Sequence, residues 1–72
     1  MERNDYLHLC QKCAMADVVP DELMVEYQGI KYIPSGYKMK VNKKGVPRDV
    51  AILKDMFANS IVECLVDKVV KV

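Results

Sequence analysis

Tryptophan is absent from this chain of 72 residues, and Phe57 is its only phenylalanine. Any core must therefore be built from aliphatic side chains, methionine and tyrosine. The three glycines are too scattered to form a glycine-rich phosphate loop. No apolar run approaches the roughly 20 residues that a membrane-spanning helix needs. The first residues carry acids and lack an apolar signal core, so we expect no secretion and a cytoplasmic protein.

Length and composition indicate one folded domain over residues 1–72. Hydrophobic residues make up 51% and charged residues 29%, values that exclude a disordered chain. Domains of this size are marginally stable on their own, and a small sheet leaves unpaired edges. A homodimer is therefore one expected assembly.

An amphipathic helix is predicted near the start of the chain, over about residues 5–15. Asn4 and Asp5 have side chains that are suited to cap the free N–H groups of its first turn. Pro20 breaks the chain after it. A helical face is indicated by apolar residues that recur at i, i+3, i+4 and i+7. These residues are Tyr6, Leu9, Cys10 and Cys13.

The pattern changes from helical to β from residue 24 onward. Gln28-Gly29 lies between two apolar segments, and a glycine in the second position favours a tight hairpin. Pro34–Gly36 predicts a bend or bulge. Tyr37–Asn42 alternates between apolar and polar residues as a strand does, and Lys43-Lys44-Gly45 predicts the next turn.

Residues 48–66 fit two different structures. Val50–Leu53 suits a strand that is buried on both faces, and Asn59-Ser60 suits a turn, so we favour two strands over about 48–56 and 60–66. The alternative is one helix opened by Pro47, since several apolar residues approximate a helical stripe. The stripe consists of Val50, Leu53, Phe57, Ile61, Cys64 and Leu65.

Together these elements predict an α+β fold that is mainly β. An N-terminal helix is followed by a small antiparallel meander of five strands over about residues 24–66. Because a small twisted sheet tends to curl, we expect a partly open barrel with the helix over one end or face.

Two patterns in the β region carry a resemblance. The first is a hairpin with Tyr27, Gly29, Ile30 and Tyr32, and the second combines Ala51-Ile52-Leu53, Asp55 and Ala58-Asn59-Ser60. Together they resemble small uncharacterised proteins encoded by bacteriophages and prophages of Gram-positive bacteria, over roughly two-thirds of the chain. The resemblance implies a phage origin, a bacterial host cytoplasm and a mostly β fold. It carries no known active site.

The segment Cys10-Gln-Lys-Cys13 has the spacing of metal and redox sites in a reducing cytoplasm. Zinc needs about four ligands, and His8 and Cys64 are the only other candidates of that kind. On a helix, however, His8 lies about 200° around from Cys10, and a second cysteine pair is missing. We therefore expect core thiols with no metal and no cofactor. A metal site of Cys10, Cys13, Cys64 and His8 is the weaker alternative.

No catalytic constellation is evident, so we expect no enzyme activity. His8 is the only histidine, and no predicted element places Ser35 or Ser60 beside it. The acidic residues suit loop and strand-end positions better than an acid–base pair.

Positive charge is concentrated in residues 30–48, which hold six basic side chains and no acidic one. Two tyrosines interleave with these cations. Such a face can bind an acidic protein, can bind phosphates and stack bases, or can serve only as a solvated strand face. The candidate binding residues are Lys31, Tyr32, Tyr37, Lys38, Lys40, Lys43, Lys44 and Arg48.

Among functional assignments, we favour a non-enzymatic phage or prophage accessory protein that binds a host or phage protein through this basic hairpin face. Direct nucleic-acid binding by the same surface is the first alternative. A small fold stapled by a metal ion is the second, and removal of the metal would then unfold the domain.

Overall fold

The N-terminal helix, α1, extends over Arg3–Met15 in a computed structural model that describes residues 1–72. It buries Tyr6, Leu9 and Cys13, as the apolar stripe predicts. The helix begins two residues earlier than expected, with Glu2 at the N-cap and no side-chain cap. The prediction that Asn4 and Asp5 cap it is therefore wrong. Asp5 instead lies in the first turn, where its negative charge interacts favourably with the positive end of the helix dipole. No helix of the chain is long and apolar enough to cross a bilayer.

Five strands follow the helix and form one antiparallel sheet, which confirms the mainly β, α+β fold class. Short 3₁₀ turns at Asp21–Leu23 and Val66–Lys68 precede the first and the last strand. The order across the sheet is β4-β3-β2-β1-β5. The strands are β1 (Val25–Tyr27), β2 (Ile30–Val41), β3 (Pro47–Asp55), β4 (Ile61–Leu65) and β5 (Val70–Lys71).

The local turns form where the sequence predicts them. Gln28 and Gly29 connect β1 to β2 with φ angles of 53° and 79°, and two positive φ values in a two-residue loop match the twist of a hairpin. Asn59, with φ 55°, turns the chain between β3 and β4. The prediction of two strands in residues 48–66 is confirmed, and the helical alternative is wrong.

Strand β2 is longer than the sequence predicts. A bulge between Pro34 and Gly36 interrupts its pairing with β3, but the strand continues through it from Ile30 to Val41. The two predicted strands on either side of the bulge are thus one. The fifth strand is Val70–Lys71, which pairs with β1 and extends the sheet beyond the predicted limit at residue 66.

The chain passes from one edge of the sheet to the other in very few residues. From Leu65 to Val70 there are five residue steps, which span at most ~18 Å. In a flat sheet, four strand spacings alone would separate these edges by ~19 Å. The two residues are also displaced along the strands, because Leu65 lies on the rung of Lys38 and Val70 on the rung of Lys31, seven residues away along β2. The sheet must therefore curl, although its edges stay unpaired and it does not close into a barrel.

The core fills the concave side of this curled sheet. Tyr6 and Leu9 of α1 pack against Leu53 and Val25 of the sheet. Val66 and Val69, at either end of the edge-to-edge crossing, are buried in the same cluster. Helix, sheet and crossing therefore share one core, which leaves the far end of the β2–β3 hairpin outside it.

Candidate functional site

The β2–β3 hairpin extends past the core as an arm. We use the name distal hairpin for residues 38–50, in which β2 and β3 pair from Lys38↔Val50 outward to Val41↔Pro47. Every residue from Met39 to Arg48 is exposed. The molecule is accordingly elongated, with extents of 39 × 22 × 17 Å.

Asn42 builds the turn at the tip of the distal hairpin. Its side-chain oxygen accepts hydrogen bonds from the backbone N–H groups of Lys44 and Val46, both at 2.9 Å. Gly45 adopts a φ of 79°, a backbone conformation that residues with a Cβ atom rarely adopt. The turn therefore holds a defined shape and presents Lys43 and Lys44 to solvent.

The two faces of the distal hairpin differ in chemistry. Side chains alternate along a strand, and cross-strand partners share a face. Met39 and Val41, exposed by 52% and 66%, lie on one face. Lys40 pairs with Arg48 on the other face. Outward of Asp49, which lies opposite Met39 at the base, the arm is therefore apolar on one side and cationic on the other and at its tip.

Glu63 neutralises part of the cationic face. From β4, its carboxylate reaches Lys38 Nζ at 2.8 Å and Lys40 Nζ at 3.3 Å. The hydrogen bonds from these two lysines lower the pKa of Glu63 below its ordinary value. Arg48, Lys43 and Lys44 form no ion pair, so the free cations are those nearest the tip.

Acidification should remove the stabilisation that Glu63 provides. Because its folded-state pKa is lowered, the contribution is complete above the ordinary pKa of glutamate and is lost as the pH falls through the lowered value. Glu63→Gln should therefore flatten the fall in unfolding free energy between neutral and acidic pH, as measured by urea unfolding across a pH series. Glu22→Gln, at an exposed glutamate without an ion pair, is the control and should keep the wild-type profile. Identical profiles for wild type and Glu63→Gln would contradict the role of these ion pairs.

Lys31 and Tyr32 do not join the distal hairpin. Lys31 lies on the far half of β2, where its Nζ is 3.7 Å from an Asp21 carboxylate oxygen. Tyr32 is only 7% exposed and belongs to the core, so it is wrong as a surface anchor. Burial of its ring against the helix excludes both base stacking and contact with a partner.

Tyr37 lies at the base of the distal hairpin and is half-buried. Its hydroxyl donates a hydrogen bond to the Asp49 carboxylate on the neighbouring strand. This bond raises the pKa of Tyr37. The Arg3 guanidinium of α1 lies 3.9 Å from the same carboxylate. Asp49 therefore links Tyr37 at the base of the hairpin to Arg3 of the helix. The exposed apolar residues farther out, Met39 and Val41, were not identified from the sequence as candidate contacts.

The cysteines and the histidine form no metal site. Cys10 Sγ lies 3.9 Å from the Gly36 carbonyl oxygen, and Cys13 Sγ lies 3.6 Å from that of Leu23. Burial raises the pKa of these two thiols and of Cys64, which disfavours the thiolate that a metal requires. His8 is exposed and lines an open cleft of about 530 Å³ beside the C-terminal strand. No three residues of histidine, cysteine, aspartate or glutamate are grouped to hold an ion.

Comparison with known proteins adds no relative to this description. No protein-family model, curated protein or solved structure matches the chain.

Proposed function

We propose that this protein is a small non-enzymatic binding module that attaches to a host or phage protein through its distal hairpin. The observation that carries the proposal is the pairing of exposed apolar side chains with unpaired cations on one projecting arm. The phage or prophage role and the bacterial cytoplasm belong to the proposal through the sequence resemblance alone.

A protein partner suits the arm because of its apolar face. Met39 and Val41 are 52% and 66% exposed, and burial of apolar area is the main favourable term in protein association. Lys43, Lys44 and Arg48 complement an acidic rim, and such charges mainly raise the association rate. The partner we propose therefore has an apolar groove bordered by acidic residues.

Nucleic acid is the second candidate, and a separate observation favours it. A two-stranded ribbon fits the major groove of DNA, and the arm is such a ribbon with cations at its tip. Against it, Glu63 neutralises Lys38 and Lys40, and an apolar face gains little from phosphate. A nucleic-acid complex would weaken steeply with salt, because salt cations compete with the basic side chains of the protein for the phosphates.

The test is a pull-down from bacterial lysate with and without nuclease treatment, followed by calorimetry with the purified partner. A tip variant carries Lys43→Glu, Lys44→Glu and Arg48→Glu, and an apolar variant carries Met39→Ser and Val41→Ser. The control variant makes the same change in net charge away from the arm. Its substitutions are Lys12→Glu, Lys54→Glu and Lys68→Glu.

We expect both arm variants to bind the partner roughly tenfold or more weakly, and the control to bind like wild type. Weakening only by the tip variant, with capture abolished by nuclease, would replace the protein partner with nucleic acid. Equal loss in the control would show that net charge rather than the arm drives binding, and the proposal would fail.

A further inference from the structure

Strand β4 presents an unpaired backbone edge whose orientation follows from one hydrogen bond. Asp55 N donates to Ser60 O at 2.9 Å, at the start of the β3–β4 ladder. Inter-strand bonds fall on alternate pairs in an antiparallel ladder, so the bonded pairs are Leu53↔Val62 and Ala51↔Cys64. The remaining β4 residues direct their N–H and C=O groups away from β3. These residues are Ile61, Glu63 and Leu65.

This edge lacks the features that usually block pairing with another chain. Edge strands are usually protected by being short, by proline or lysine residues, or by bulges. The opposite edge, β5, is protected in this way, because it has only two residues and one of them is Lys71. Strand β4 has five residues, no proline and no lysine. Its one charge, Glu63, is held by Lys38 and Lys40 on its own sheet, and Ile61 is 62% exposed.

We propose that the β4 edge pairs antiparallel with the β4 edge of a second copy, around a two-fold axis at Glu63. This is the only two-fold register that uses all three outward-facing residues of each copy. It places Ile61 opposite the partner subunit's Leu65, and the reciprocal contact follows by symmetry. Two five-stranded sheets become one sheet of ten strands.

Charge and apolar pattern favour a second copy over an unrelated peptide. The two Glu63 carboxylates would meet at the axis, where like charges oppose pairing. Each of them carries its own pair of lysines, so the centre of the interface holds four cations around two anions. A second copy in antiparallel orientation also places the apolar residues at the two ends of the strand, Ile61 and Leu65, opposite each other.

The proposed dimer is independent of the proposed function, because it leaves the distal hairpin free. The hairpin extends from the Leu65 end of β4, since Leu65 pairs with Val50 at the base of the arm. The two-fold axis then directs the two arms to opposite ends of the assembly. A failed dimer test would leave partner binding by the arm untouched.

The first test measures molecular mass by sedimentation from micromolar to millimolar concentration. We expect the wild-type mass to double with concentration. Ile61→Lys should weaken dimerisation roughly tenfold or more, since the substitution enters the interface twice. Val70→Lys is the matched control, because Val70 is also 62% exposed but lies on the β5 edge. A wild type that stays monomeric throughout, or a control that is weakened equally, would overturn the proposal.

A cross-link tests the register and does not depend on the lysine variant. In the proposed pairing, Val62 stands opposite the partner subunit's Cys64 in a non-bonded pair, with Cα atoms ~4.5 Å apart, which a disulfide can bridge. Val62→Cys should therefore give a covalent dimer on oxidation, with the bridge to Cys64 identified by mass spectrometry. Val62→Cys combined with Cys64→Ser should not cross-link. A bridge between two Cys64 residues in the wild type would overturn the register, and no cross-link would overturn the pairing.

Discussion

Replacement of Tyr6 by alanine should lower the free energy of unfolding by about 3–5 kcal/mol. The Tyr6 ring is fully buried at the centre of the core, so its removal leaves a cavity that the sheet cannot fill. The loss is a large share of the roughly 5–15 kcal/mol that stabilises a typical domain. Urea unfolding followed by circular dichroism measures it. Leu7→Ala, at a 37% exposed position of the same helix, should cost far less.

The Tyr6 hydroxyl accounts for a separable part of this effect. It donates to the Gly36 carbonyl at 2.7 Å and also lies 3.0 Å from the Ile52 carbonyl oxygen. Both carbonyls belong to the rung beside the bulge between Pro34 and Gly36, so the hydroxyl joins the helix to the irregular part of the ladder. Tyr6→Phe should therefore cost about 1–3 kcal/mol, because it removes the hydroxyl donor from two part-buried carbonyl oxygens. Equal stability of Tyr6→Phe and wild type would show that water replaces the hydroxyl.

Leu53→Ala should be the second large loss, about 2–5 kcal/mol. Leu53 is fully buried on the concave side of β3. Its neighbour Ile52 lies on the opposite face, beside Gly36, and is half-buried. Ile52→Ala should accordingly cost less than Leu53→Ala in the same unfolding measurement. The reverse order would mean that β3 is shifted by one residue, because such a shift exchanges the two faces of a strand.

The turns were predictable because their causes are local. Gly29 and Gly45 supply positive φ angles at positions where the neighbouring segments already alternate as strands. The prediction of two strands in residues 48–66 is also confirmed, since β-branched residues favour strands there and Asn59 favours a turn between them. These features depend on a few neighbouring residues, and sequence patterns report such neighbourhoods well.

The edge-to-edge crossing was not predictable. Strand β5 has only two residues, and its pairing with β1 depends on a curl produced by the whole sheet. No alternation can be recognised over so short a segment. The predicted meander therefore ended at residue 66, where the chain in fact leaves one edge for the other.

The candidate site was predicted in part, and the bulge in β2 explains why Tyr32 was wrongly placed on the surface. Tyr32 and Tyr37 are five positions apart, so simple alternation gives them opposite faces. The bulge between Pro34 and Gly36 shifts the register, which turns both rings toward the helix side of the sheet. The sequence alone does not give the registers of β3 with β2 and β4. Without these registers, neither the burial of Tyr32 nor the ion pairs of Glu63 with two lysines could be derived.

The extension of the distal hairpin beyond the core has a consequence for local stability. Backbone amides of Met39 to Arg48 are held only by a two-stranded ladder in solvent, and such a ladder opens without unfolding the domain. Their hydrogens should exchange with solvent much faster than those of Ala51 and Leu53. A partner that closes on the arm must therefore order it, and slowed exchange confined to these rungs would map the contact on the chain itself.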